Sequence, residues 1–243
     1  MLMRFLLLDT ADARGCVAVL QDATLLTVSP HPSGEDFSSW LLPAVRRALA
    51  EQALSLANLE GYAVCSGPGS FTGLRVGLTT AKAWAEIFRK PIAAVSRLEA
   101  LAASVNASSI PRPSFTAVFS DARRGQVFAV LYNDSGIAIE PESVVALENF
   151  LDRADAICGT APILWKTPDP HLLQPLPAWA PRAARGDAVQ PIEPPFAAQL
   201  GALAQQKFLN GQTTDALTLD ANYIRRSDAE LFWTENRSAA VKS

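Results

Sequence analysis

The chain has 243 residues, 49% of them hydrophobic, enough to bury one large core or two half-size ones. Charged residues make up 19% and the formal net charge is −3, which argues against a protein that grips nucleic acid alone, because neutralising phosphates calls for a basic excess. No stretch reads as a membrane span, and the opening MLMRFLLLDT reaches Asp9 too soon for a signal-peptide core.

Residues 4–9 read as a fully buried strand, 15–21 as a second and 24–28 as a third, with a turn at Gln21-Asp22. The three make an antiparallel meander. A helix follows, with Ser33 as its cap and Asp36 three residues on completing a capping-box-like start. Phe37, Leu41, Ala44 and Ala48 form one apolar stripe, widened by Trp40, Val45 and Leu49, and Pro43 predicts a kink by freeing the Ser39 carbonyl. Residues 61–65 are a short buried strand that runs into a glycine-rich loop. A second helix spans 72–89, and 91–95 is the next strand. Pro111 and Pro113 mark a boundary.

Beyond that boundary the order partly restarts. Strands are expected at 115–120, 126–132 and 137–140, a helix at 147–153 and a strand at 156–158. Residues 162–195 are proline-rich and read as irregular, 196–209 as a helix closed by Asn210-Gly211, and the residues after Trp233 as a frayed end. The pattern predicts two lobes, 1–110 and a degenerate 111–243, each opening on a meander followed by α/β units. This is the duplicated architecture shared by actin, the sugar and acetate kinases and the seventy-kilodalton chaperones.

The glycine-rich stretch GPGSFTGLRVG, from Gly67 to Gly77, invites a phosphate-loop reading. Spacing rejects each familiar template. A dinucleotide loop needs G-x-G-x-x-G, but Thr72 stands where the third glycine belongs; a Walker loop needs a lysine, and none occurs before Lys82. Ser70 is flanked by Pro68-Gly69 and Phe71-Thr72, which fails the G-x-S-x-G elbow. What remains is a tight turn, with Gly67 and Gly69 permissive and Pro68 stiff, leading to a helix capped by Ser70 or Thr72. Such a start either binds an anion or a partner carboxylate, or simply packs strand against helix.

The helix carries Gly73, Gly77, Ala81 and Ala85 at four-residue spacing, a face that lets another backbone come close. Leu74, Leu78 and Phe88 adjoin it on one side, and Val76, Thr80, Trp84 and Ile87 on the other, so the apolar arc exceeds what one core contact needs. Either the helix is deeply buried, or one face meets the sheet and another meets a second subunit. We favour the interface, and expect Phe37, Trp40, Leu41, Gly73, Leu74, Gly77, Leu78, Ala81 and Trp84 to line it.

Other candidates are weaker. Asp9-Thr10 with Asp12 occupies the first strand-to-strand loop, which meets nucleotide phosphate in actin-like enzymes; here Ala11-Asp12-Ala13-Arg14 adds bulk and charge that disfavour phosphate. Asp121-Ala122-Arg123-Arg124 opens the matching loop of the second half and reads as a turn or ion pair. An actin-like kinase or nucleotide hydrolase is the alternative function, with Asp9 and Asp121 its only well-placed carboxylates. Cys16, Cys65 and Cys158 lack CxxC spacing and read as buried, reduced thiols of a cytoplasmic protein. With only His31 and His171 present, no metal site is expected, and no Ser/His/Asp set supports a peptidase. Trp165, Trp179 and Trp233 read as core or loop anchors, and the pairs Arg46/Arg47, Arg123/Arg124 and Arg225/Arg226 as solvated surface.

Taken together, GPGSFTGLRVG, the opening LLLDTAD, the proline-containing WLLPAVRRAL, DARRGQVFAVLY at the start of the second half and the late LDANYIRR resemble the TsaB (YeaZ) family over about nine tenths of the chain. The resemblance implies a cytoplasmic, actin-like, non-catalytic subunit. It would pair with a catalytic TsaD-like homologue and, with a TsaE-like ATPase, support threonylcarbamoyl transfer to N6 of the adenosine beside the anticodon. It implies contact with tRNA only through the complex, no cofactor bound for catalysis, and a partner surface on the first two helices that also serves a homodimer. A nucleotide at the partner interface is compatible with it. The metal-binding H-x-x-x-H segment of TsaD has no counterpart here, since the region before Glu99 holds no histidine.

Overall fold

The computed structural model describes residues 2–104 and 114–224. Pro111, Pro113, the 110/111 boundary, Arg225, Arg226 and Trp233 lie outside the described residues. Strands β1 (Arg4–Asp9), β2 (Cys16–Gln21) and β3 (Thr24–Pro30) form the expected antiparallel meander, with Leu8 opposite Val17. β4 (Gly61–Gly67) pairs parallel to β1, and β5 (Ile92–Ser96) parallel to β4, giving the order β3-β2-β1-β4-β5. The helices between and after them are α1 (Phe37–Glu51), α2 (Phe71–Phe88) and α3 (Arg97–Ala103).

The second sheet repeats this plan. β6 (Phe115–Arg123), β7 (Gln126–Asn133) and β8 (Ser143–Ala146) are antiparallel, and β9 (Ile163–Thr167) and β10 (Ala188–Pro191) add in parallel, in the order β10-β9-β6-β7-β8. With α4 (Leu147–Cys158), α5 (Trp179–Ala184) and α6 (Ala197–Leu209), each half reads βββαβαβα.

Side-chain alternation along β1 sorts the helices onto two faces. Phe5 points to α6, where it meets Phe208 at 5.3 Å; Tyr62, paired with Leu6, meets Trp84 of α2 at 5.9 Å; and Thr10 meets Gly73. α1 and α2 therefore share one face of the first sheet, and α3 and α6 share the other. Covered on both sides, β1 is buried from Phe5 onward, which is why it reads as an unbroken apolar run.

Several boundaries differ from the expectations. α1 starts at Phe37 with Asp36 as its cap residue and no side-chain cap bond; Ser33 lies too early, because Gly34 at φ 85° turns the chain before the helix. Residues 137–140 form only an isolated bridge, since Asn133 accepts the Ser135 and Ile137 amides in a tight turn and the third strand comes later, at β8. The strand expected at 156–158 is the end of α4, where Leu147, Phe150, Leu151, Ala154 and Cys158 bury one helical stripe up to Gly159. Residues 162–195 hold β9, α5 and β10 rather than irregular chain. α6 forms as expected but packs on the first sheet, against β5 and β3, with Gly201 against Leu20.

Candidate functional site

The glycine motif is a socket for the β1–β2 loop. Ser70 caps α2 by accepting the Gly73 amide at 3.3 Å, and its own amide donates to the Ala11 carbonyl at 2.7 Å. A Cβ on Gly69 would sit 2.2 Å from the Ala11 carbonyl oxygen, one on Gly73 2.1 Å from that of Thr10, and one on Gly77 2.4 Å from Thr10 Oγ1. Thr10 in turn donates its hydroxyl to the Gly73 carbonyl at 2.7 Å. The backbone that the four-residue spacing anticipates is thus this chain's own loop. Gly67, at φ 108°, turns the chain after β4, and Pro68 follows it.

This placement corrects much of the expected partner surface. Trp40, Leu41, Gly73, Leu74, Gly77, Leu78 and Ala81 are all buried within the chain, because those stripes face the sheet and Thr10. Phe37 and Trp84 are half-buried, Phe37 stacked on His31 at 4.0 Å. The outward surface of the two helices holds different residues: Leu42 is 57% exposed, Ile87 69% and Phe71 38%. Thr72 is exposed as well. The Arg75 guanidinium lies over Phe71, 3.7 Å from its centroid, and Tyr223 packs against the same ring at 5.1 Å. Sequence reasoning missed Arg75 and Tyr223, which are 148 residues apart and meet only in the fold.

The C-terminal segment fastens the socket from outside. Leu219 is buried, the Asn222 amide donates to the Ser66 carbonyl at 2.8 Å, and the Asn222 carbonyl packs on Gly67.

Behind the loop runs a chain of alternating charges. Arg97, at the start of α3, faces Asp9 at 3.6 Å and Asp12 at 2.8 Å; Arg14 binds Asp12 at 2.7 Å and Asp169, beyond β9, at 3.1 Å. Asp169 accepts the Asp121 amide at 2.8 Å, and Asp121 accepts the Arg123 amide at 2.7 Å. Burial raises the Asp9 carboxyl, and Arg97 only partly offsets it. Burial also acts on Asp12, but Arg97 and Arg14 outweigh it and hold that carboxyl below its usual range. Cys16 and Cys65 flank Asp9, and burial pushes both thiols well up, so they stay protonated and unreactive. Arg97 and Asp169 carry no motif that marks them in the sequence. Among the described residues no group of three or more His, Cys, Asp or Glu is placed to hold a metal ion, and no helix is long and apolar enough to cross a membrane.

Two repeated α/β lobes, with a glycine turn launching α2 beside the first hairpin loop, define a two-lobed actin-like protein. Its likeness to known proteins is specific. It is 30% identical over 97% of its length to the tRNA threonylcarbamoyladenosine biosynthesis protein TsaB of Bacillus subtilis, all of which it covers. It is 31% identical over 65% of its length to the Escherichia coli protein of that name, covering 68% of it. A Pseudomonas aeruginosa crystal structure, described as an uncharacterized protein with similarity to peptidase YEAZ, superposes with a TM-score of 0.72 at 25% identity, over 92% of this chain and 100% of that one. The family described as TsaD: tRNA N6-adenosine threonylcarbamoyltransferase matches residues 22–160. The chain belongs to the TsaB (YeaZ) family, and its residues 22–160 are related to the TsaD family.

Proposed function

We propose that this chain is a non-catalytic cytoplasmic subunit of the machinery that makes threonylcarbamoyladenosine in tRNA. It binds a TsaD-like catalytic subunit through the outward faces of α1 and α2. With a TsaE-like ATPase it supports transfer of threonylcarbamoyl to N6 of the adenosine beside the anticodon, meeting tRNA only through the complex. The observation that carries this reading is the full-length likeness to a protein named for that biosynthesis. The geometry supports the absence of chemistry in this chain: Asp9 and Asp121, the carboxylates an actin-like kinase would use, are engaged by Arg97 and by the Arg123 amide, and the nearby thiols are buried. Leu42 on α1 and Ile87 on α2 are large apolar side chains that these helices leave exposed, which makes them the positions at which to test this surface.

The experiment is to mix the chain with the TsaD-like subunit and measure the mass of the complex. The wild type and Gly69→Ala samples that remain folded should form a complex, whereas Leu42→Asp with Ile87→Asp should elute as separate proteins. Complex formation by the double variant at wild-type affinity rejects these faces.

A further inference from the structure

The two lobes meet along a seam that carries three separate clasps. In the first, Arg14 of the β1–β2 loop reaches across to Asp169 at 3.1 Å and to the Pro168 carbonyl at 3.3 Å. Asp12 holds that guanidinium at 2.7 Å and is itself gripped by Arg97 at 2.8 Å, so Arg14 is aimed rather than floating. In the second, Lys166 on β9 donates to the carbonyls of Ala102 and Ser104, both at 2.6 Å, where α3 of the other lobe ends. A cation there satisfies carbonyls that the helix leaves without partners. In the third, Ser96 at the end of β5 donates to Glu142 of the second lobe, and the other Glu142 oxygen accepts from Asn222 at 2.5 Å.

The burial of these groups decides what the clasps do. Lys166 and Asp169 are buried, and Arg14 is partly so with 37% of its side chain exposed; separating a buried ionic group from its partner is strongly unfavourable. A hinge that opened the seam would break all three clasps together. Proteins that close on a ligand place a few compliant residues at that position instead.

We propose that the clasps weld the two lobes into one rigid body, so that they do not open and close on one another. Arg14 and Lys166 are its polar fasteners, because Lys166 on β9 and Pro168 and Asp169 just beyond it are held from two directions. The weld gives the chain a fixed shape before any partner arrives.

Spin labels at Arg46→Cys on α1 and Asn149→Cys on α4, both exposed positions, report the distance between lobes by pulsed electron paramagnetic resonance. The wild-type background should give one narrow distribution that Mg-ATP leaves unchanged, and Arg14→Met with Lys166→Met should broaden it. A broad wild-type distribution, a shift on adding Mg-ATP, or an equally narrow distribution in the folded variant overturns the proposal. A urea double-mutant cycle of Arg14→Met and Asp169→Asn gives a second reading. The two changes should be non-additive by about tenfold in the unfolding constant; strict additivity rejects the Arg14 fastener. Should the Arg14/Lys166 variant not fold, the wild-type distances still decide the matter.

Discussion

Thr10 is the residue on which the glycine motif closes. Its carbonyl and hydroxyl occupy the space that side chains at positions 73 and 77 would take. Gly73→Ala drives a Cβ against a backbone carbonyl, and overpacking of this kind costs about 1–3 kcal/mol, only partly offset by the helix preference of Ala over Gly. We expect a net loss of about 1–2 kcal/mol, read as a lower urea midpoint; an unchanged midpoint contradicts the socket. At Gly77 the obstacle is the Thr10 hydroxyl, so Thr10→Ala should soften the effect of Gly77→Ala in a double-mutant cycle. A different residue makes the second lobe sensitive to acid. Against the effect of burial, Arg185, the Trp165 indole and the Ile163 amide hold the Asp187 carboxyl below its usual range. The folded chain therefore binds fewer protons at this site than the unfolded one. The stability that Asp187 contributes is full above roughly pH 4, the ordinary carboxylate value, and is lost as pH falls through its native pKa. Asp187→Asn should lower stability at pH 7 and flatten its decline in acid, followed by urea midpoints between pH 3 and 7.

At the scale of elements, α6 is the piece whose position changes the picture most. It comes last in the second repeat yet buries Phe196, Leu200 and Ala204 in the first lobe's core, with Phe208 against Phe5 and Gly61. A fragment ending at Ser104 should therefore fail to fold, leaving one face of the first sheet bare, as judged by circular dichroism and the dispersion of amide resonances. A cooperatively folded fragment contradicts this arrangement. β1, β2 and β4 were legible as unbroken buried apolar runs and α1 and α2 as buried stripes, whereas β3, with no fully buried residue, was legible from the Gln21-Asp22 turn that precedes it. The second half was harder for definite reasons. Ile137 and Ile139 are apolar yet 64% and 39% exposed, so their hydrophobicity mimicked a strand. β9 and β10 are short and sit among prolines, which masks strand pattern. The candidate site was legible as a motif but not as a contact. Four-residue glycine spacing says that a backbone comes close and cannot say whose, and the partners of the Arg97–Asp12–Arg14–Asp169 chain are scattered over 158 residues of sequence, from position 12 to 169.

At the scale of the whole molecule, the interior of the first lobe accounts for GPGSFTGLRVG, and the outside of the same helices is what a partner can meet. The motif that first suggested an interface fixes α2 against the β1–β2 loop, and under the proposed function it acts on the partner surface only through that placement. The proposed function has this chain support a reaction that it does not perform. The most direct measurement is formation of threonylcarbamoyladenosine in tRNA by the TsaD-like and TsaE-like subunits, with this chain present, absent, or carrying Leu42→Asp and Ile87→Asp. Modification is expected only with the wild-type chain, and none from the chain without the TsaD-like subunit. Undiminished modification in its absence, or modification by this chain alone, would contradict it.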